Sequence, residues 1–346
     1  MPMPWSSSSS PARRSEEMRP PRSGRISISH GPPRNRMAPR IVVPKRIRAI
    51  ASAAIALCLL AACGQTPVAH LPSPKPTSQA TPAPHSTPTP NAQRTTQHVF
   101  VIVMENRSYD QAIKGGYTAQ LAQKYAVATN YHGVSHPSLP NYLALTSGST
   151  WGIADDGWHS LPVGGLGAQL TDAGISWRAY MEGMSSSCTR SGYPYALKHN
   201  PFPYFGGSCP SQVVPFSQFS ADMAGTVPHF VWITPDLCHD GHDCSTATAD
   251  KWLAQTVPTI LATSAWKEGG LLLITWDEGE DSANHVLTLV IHPGTIIKNS
   301  DLSYDHYSLL ASIEDRFGLP RLGQAAHASA MTDLLMAMPR IGQLGG

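Results

Sequence analysis

From residue 98 onward, continuous apolar runs alternate with amphipathic segments. Residues 98–104 (His-Val-Phe-Val-Ile-Val-Met), 229–234 (His-Phe-Val-Trp-Ile-Thr) and 270–276 (Gly-Leu-Leu-Leu-Ile-Thr-Trp) are rich in aliphatic and aromatic positions without a polar alternate. Runs of that kind predict strands covered on both faces, as in a parallel sheet. Residues 175–181 and 285–291 read as two further strands. Helical spacing predicts helices over 118–128, 166–173, 247–263 and 306–317, with another opening at Ser138. Strands that alternate with helices in this way make an α/β chain with a mostly parallel central sheet. Residues 188–216 break the pattern and read as an irregular insertion beside the sheet.

Before residue 98 the pattern is different. Residues 1–36 are Ser-, Pro- and Arg-rich without apolar periodicity, so they are expected to be disordered or a mis-called extension, with Met37 the true initiator. Arg40, Lys45, Arg46 and Arg48 then precede an apolar run, 49–62, that ends in Leu60-Ala61-Ala62-Cys63. This resembles a bacterial lipoprotein signal peptide over 37–63, with Cys63 the lipidated residue, and the run is short for a membrane-spanning helix. A buried core helix at 49–62 is the alternative that the basic flank disfavours. Residues 64–97 are Pro, Thr, Ser and Ala, a semi-rigid spacer. A single folded domain remains at 98–346, expected outside the cytoplasm and lipid-anchored to the outer face of a bacterial cell membrane.

Charge and cysteines sharpen this division. The first 50 positions hold 11 of the 25 Lys and Arg and two of the 23 acidic residues, so residues 51–346 carry a formal charge of −7. An acidic domain is a poor binder of nucleic acid, and the membrane is expected as a partner only through the anchor. Beyond Cys58 and Cys63 lie Cys188, Cys209, Cys238 and Cys244. After a secretion signal these most simply form two disulfides, and their spacing favours 188–209 and 238–244. A zinc site is the alternative, weakened by the lack of a Cys-x-x-Cys pair.

The candidate chemistry gathers where the predicted strands end. Glu105 and Asn106 follow the first run, Asp236 to Asp243 follow the second, and Asp277 and Glu278 follow the third. Carboxyl ends of parallel strands are where open α/β sheets bind ligands. Carboxylates crowded there repel one another unless a cation shares them, so oxygen ligands for a metal are the natural reading, and a solvated acidic turn is the plain one. Ser138, in His136-Pro137-Ser138-Leu139-Pro140-Asn141, sits where a helix begins. A phosphate beside it would meet free N–H groups and the positive end of the helix dipole, and the Asn141 amide would add a donor. A serine that only caps the helix is the alternative. His242 with Asp243 makes a pair that binds an anion or protonates a leaving group, while His199, Arg107 and His306 are further candidates.

Taken in order, Met104-Glu105-Asn106-Arg107-Ser108-Tyr109-Asp110, His136-Pro137-Ser138-Leu139-Pro140-Asn141-Tyr142, Thr275-Trp276-Asp277-Glu278-Gly279 and His306-Tyr307-Ser308-Leu309-Leu310 resemble the bacterial phosphoesterase family of acid phosphatases and phospholipases C, within the alkaline phosphatase-like superfamily. The resemblance implies a three-layer sandwich with Ser138 as nucleophile. It also implies one divalent metal held by Glu105, Asn106, Ser138, Asp277 and Glu278, and His199 and His242 at the phosphate. Oxygen ligands favour calcium, magnesium or manganese, with zinc the softer alternative. The expected activity is an acid phosphatase acting on small phosphomonoesters. A phospholipase C-type diesterase and a non-catalytic metal-binding surface lipoprotein are the competing readings.

Overall fold

Six consecutive apolar residues, Val99–Met104, form strand β1, and all six are buried. The structure, a computed structural model, describes residues 97–185, 187–295 and 299–335. The leader, the lipidation site at Cys63 and the spacer expected before residue 97 lie outside the described residues. A strand buried along its whole length needs partners on both edges and cover on both faces. In chain order it is followed by α1 (Tyr109–Ala112), α2 (Gly116–Lys124), β2 (Ala126–Ala128), β3 (Tyr131–His132), α3 (Ser138–Ser147), α4 (Gly165–Asp172), β4 (Trp177–Met181) and β5 (Val213–Pro215). Then come α5 (Phe219–Ala224), β6 (Phe230–Thr234), α6 (Thr246–Ala262), α7 (Ser264–Lys267), β7 (Leu271–Trp276), β8 (Thr288–Ile291), β9 (Asn299–Ser300), β10 (Tyr304–Asp305), α8 (His306–Phe317) and α9 (Thr332–Leu335).

The main sheet runs β5-β4-β6-β1-β7-β8-β2-β9. From β5 to β7 every pairing is parallel, and β8 runs antiparallel to both β7 and β2. Helix α3 packs on α8 and α4, while α2, α5 and α7 pack on α6, so two helix groups supply the cover that the sheet requires. This is the expected α/β fold with a mostly parallel sheet.

Two elements differ from their sequence reading. The helix expected over 118–128 stops at Lys124, because Tyr125 is extended and Ala126–Ala128 pairs with β8. A short apolar run suits either state, and the partner strand decides it. The strand expected over 285–291 is laddered only from Thr288. His285 is instead held by the Thr129 carbonyl at 2.9 Å and stacks on Tyr109. The cysteines pair as 188–209 and 238–244, which removes the zinc alternative for them.

The register of β1 on β7 positions the polar residues. Val99 lies opposite Leu271 and Met104 opposite Trp276, so both strands end at the same level and Glu105 and Asp277 leave the sheet as neighbours. The Asp277 N–H donates to the Met104 carbonyl at 2.9 Å, and the Glu105 N–H donates to that of Asp240 at 2.9 Å.

Away from that edge, Glu314 on α8 is fully buried and accepts from the Leu322 N–H at 2.8 Å, which ties the helix to the turn after it. Burial, only partly offset by that hydrogen bond, raises its carboxyl to about 8. A carboxyl raised in the fold binds its proton more tightly there than in the unfolded chain. The stability it contributes is therefore complete below about pH 4.5 and is lost as pH climbs toward about 8. Glu314→Gln keeps an acceptor for Leu322 and removes the ionisation. Melting temperatures across pH 5 to 8 should show the variant gaining on the parent as pH rises; parallel curves would refute the assignment.

Candidate active site

Glu105 occupies the first position after β1 and is completely buried. Asn106 follows with φ +47°, a left-handed conformation that asparagine tolerates better than most residues. That turn directs its N–H to Asp277 Oδ1 at 3.1 Å. From the other side, Ser138 in the first turn of α3 is 1% exposed and donates its hydroxyl to Glu105 Oε2 at 3.0 Å. Glu105, Ser138 and Asp277 thus converge from three elements separated in sequence.

The carboxylates form a charge problem. Burial, then the neighbouring charges of Glu105 and Glu278, push Asp277 well above the usual carboxylate range. Glu278 is raised by burial and by Glu105, partly relieved by His136, whose Nδ1 lies 2.6 Å from Glu278 Oε2. Burial also presses Glu105 upward, but the adjacent His199 outweighs it and holds Glu105 low. Two buried oxygens in this group, Glu105 Oε1 and Asp277 Oδ2, have no hydrogen-bond partner. The Tyr142 hydroxyl approaches Glu105 without reaching hydrogen-bonding geometry. Orphaned anionic oxygens in a buried acidic cluster are the donor set that a hard divalent cation takes. Metal-ligating atoms of Glu105, His199 and His242 also lie within 4.8 Å of one another.

His199 stands behind Glu105. Its Nε2 is 3.2 Å from Glu105 Oε2 and its Nδ1 is 3.1 Å from Asp240 Oδ2, with all three residues almost wholly buried. Burial lowers a histidine pKa, yet the two carboxylates raise this one to about 9. The ring stacks on Tyr142 at 5.4 Å. Nδ1 is bound to Asp240, while Nε2 faces Glu105 as an ion pair without a hydrogen-bond partner, so the ring positions Glu105 and carries charge. His242 is more open: Asp243 Oδ1 lies 2.7 Å from its Nδ1, and Lys198 Nζ lies 3.1 Å from its Nε2. An ammonium group only donates, so Nε2 accepts and Nδ1–H points to Asp243. The loop holding His242 is closed by the 238–244 disulfide, and Gly241, at φ +103°, lets it pass against the Glu105 main chain.

Four other candidates are spent on structure. Asn141 is fully buried; its oxygen accepts from the Val134 and Ser135 N–H groups and its amide donates to the Ser135 and Pro137 carbonyls. It shapes the loop before Ser138, so the expected ligand contact is corrected. His306, also fully buried, sits between the Tyr131 hydroxyl and the Asp277 carbonyl, propping the main chain that carries Asp277. It supports the site from below and does not face a substrate. Arg107 binds the carbonyls of Asn106 and Cys244 and the Thr246 hydroxyl, and so braces two loops. Asp236 caps its own loop and, with Glu182, holds His239, a group separate from the one at Ser138.

Lys198 and Asp156 escaped the sequence reading. Lys198 Nζ reaches Ser138 Oγ at 3.5 Å and Asp156 Oδ2 at 3.0 Å, and Asp156 Oδ1 accepts the Leu139 N–H at 3.0 Å. A carboxylate therefore occupies one donor of the α3 N-terminus that was expected to be free for phosphate. Position 198, beside His199, was the one available signal. Asp240, inside the acidic loop, was passed over for its neighbours.

The pairs differ in depth, and a stability comparison separates them. Removing one partner of a buried ion pair costs about 3–5 kcal/mol, and of an exposed pair about 0–1 kcal/mol. Urea unfolding should show Asp240→Ala losing the larger amount and Asp243→Ala the smaller; equal losses would contradict the buried His199–Asp240 bridge.

Comparison with known proteins follows the same lines. A model described as "Phosphoesterase family" matches residues 114–320. The chain is 33% identical over 250 residues to a probable acid phosphatase of Kluyveromyces lactis, covering 65% of this chain and 59% of that protein. It is 33% identical over 261 residues to a phosphatidylinositol-3-phosphatase of Mycobacterium tuberculosis, covering 70% of this chain and 84% of the other. A solved alkaline phosphatase superfamily protein from Vibrio parahaemolyticus superimposes with TM-score 0.52 at 11% identity, covering 68% of this chain and 69% of that one, a likeness of fold alone.

Proposed function

This chain belongs to the phosphoesterase family, and from that premise we propose that it is a metal-dependent hydrolase of phosphomonoesters, working through a phosphoserine at Ser138. The observation that carries the reading is the buried Ser138 hydroxyl, aimed at Glu105 Oε2 at 3.0 Å beside orphaned oxygens of Glu105 and Asp277. Relatives named acid phosphatase support the reaction class. Because the chain spans 59% of the first of these, their whole-protein activity is carried here as inference.

Glu105 and Asp277 would hold a divalent cation, calcium, magnesium or manganese by its oxygen donors, and a bound cation supplies positive charge to the phosphoryl oxygens and acidifies a nearby hydroxyl. Ser138 Oγ attacks phosphorus as its proton moves along the existing hydrogen bond to Glu105 Oε2. The Oγ–P bond forms and the ester P–O bond breaks. The departing alcohol takes a proton from His242 Nε2, which for this step carries one and no longer accepts from Lys198, while Asp243 orients the ring through Nδ1. Lys198, 3.5 Å from Ser138 Oγ, offers charge to the transferred group. Water then attacks the phosphoserine, His242 takes its proton, and Ser138 recovers its own from Glu105.

Ser138→Ala should lower kcat on p-nitrophenyl phosphate by about 10⁴-fold or more, as loss of a nucleophile does. Brief incubation of the parent with labelled substrate followed by acid quench should leave phosphoserine at position 138. Activity that survives in the variant, or hydrolysis of phosphatidylcholine with monoesters inert, would refute the monoesterase reading.

We place the protein outside the cytoplasm. The two disulfides suit an oxidising compartment, and no helix among the described residues is long and apolar enough to cross a membrane. Attachment through lipid on Cys63 completes this reading. Cys63→Ser should move the full chain from the membrane fraction to the soluble fraction of a bacterial host; unchanged partitioning would exclude the anchor.

A further inference from the structure

A cavity of about 430 Å³ opens next to the nucleophile, with Asp156, Lys198 and His242 among its lining residues and Trp158, Tyr193, Tyr195 and Tyr204 as aromatic walls. We propose that it is a leaving-group subsite shaped for flat aromatic rings, so that among phosphomonoesters the chain prefers aryl and nucleoside phosphates. This rests on the hydrolase reading above and adds a substrate class to it.

Lys198 Nζ is 3.1 Å from His242 Nε2 and 3.5 Å from Ser138 Oγ, so the cavity and the nucleophile share these groups. A phosphoryl group held at Ser138 would direct its ester oxygen past His242 and its alcohol into the cavity. Trp158 is 46% exposed and Tyr193 73% exposed, among the few large apolar side chains so presented in the described residues. Trp158 packs on Tyr204 with ring centroids 4.9 Å apart and planes 35° from parallel, an aromatic platform open to one side. Exposed aromatics at the rim of a concave site gain by covering a ligand's flat face.

The polar groups of the wall suit a ring better than a polyol. Each hydroxyl of a sugar or glycerol needs a free polar partner, and several polar atoms of this wall are already engaged, those left over sitting on the aromatic groups Trp158, Tyr193 and Tyr204. Ser191 Oγ accepts from the Leu197 N–H, the Tyr195 hydroxyl donates to the Cys188 carbonyl, and Asp156 holds both Lys198 and the Leu139 N–H. Leu197 and Leu237 add further apolar lining. Open apolar faces with occupied polar groups favour stacking, which is tolerant of ring type.

The test compares adenosine 5′-monophosphate with glycerol 3-phosphate, both esters of primary alkyl alcohols, so that leaving-group acidity does not set the ratio. The ratio of their kcat/KM values in the full-length parent should favour the nucleotide about tenfold, the size of one stacking contact. It should collapse toward one in Trp158→Ala, through KM, and return in Trp158→Phe. 2-Naphthyl phosphate against glycerol 3-phosphate forms a second arm: loss confined to the naphthyl ester points to small aryl alcohols, and loss with both esters to rings generally. Equal sensitivity of glycerol 3-phosphate or of inositol 1-phosphate to Trp158→Ala would overturn the subsite. Binding is read separately by quenching of tryptophan fluorescence with adenosine. Trp158-dependent binding without hydrolysis of any ester would uphold the pocket and sink the hydrolase reading. Hydrolysis with neither discrimination nor adenosine binding would do the reverse.

Discussion

The parallel register of β1 on β7 brings two carboxylates together out of water. With Met104 opposite Trp276, the next residue on each strand is an acid, and both Glu105 and Asp277 are fully buried. Like charges so placed raise each other's pKa or recruit a cation. Here Asp277 is raised well above its usual range, while oxygens of both residues stay without hydrogen-bond partners. Such an arrangement lowers the stability of the isolated fold, and its persistence makes sense as a binding site held ready.

The surrounding residues fix these two groups in place. The cationic pull of His199 holds Glu105 ionised, and Asp240 holds His199. His306 props the Asp277 carbonyl, and the left-handed turn at Asn106 sends its N–H to the Asp277 side chain. Arg107 ties the strand end to the disulfide loop that presents His242. Ser138 needs no strand of its own, because α3 begins where its hydroxyl meets Glu105. Most of the polar residues near the sheet edge therefore limit where three oxygens can go.

How much of this could be read from sequence depended on range. The strands at 99–104, 230–234 and 271–276 are continuous apolar runs because both of their faces are covered, and that pattern is local. Their polar successors, Glu105 and Asp277, were visible for the same reason. The brief strands at 126–128 and 299–300 carry too few residues for any periodicity, and only their partners define them. Asn141 looked like a ligand because it follows Ser138 by three positions, yet the loop before the helix folds back and takes its amide. Lys198 was hidden for the opposite reason. It arrives from a turn in the irregular insertion, 60 positions from Ser138, and only tertiary structure brings it close. The aromatic walls of the neighbouring cavity gather in the same way from the loop around 158 and the insertion.

The central claim is that the paired acids at the ends of β1 and β7 bind one divalent cation, and calorimetric titration of metal-stripped full-length protein tests it most directly. Magnesium, calcium, manganese and zinc in turn should reveal at least one ion that saturates a single site. Its affinity should fall at least about tenfold, a loss of roughly 1.4 kcal/mol, in both Glu105→Gln and Asp277→Asn, and hold in Glu182→Gln. Absence of saturable binding by any of the four ions, or binding that ignores both substitutions, would contradict the account.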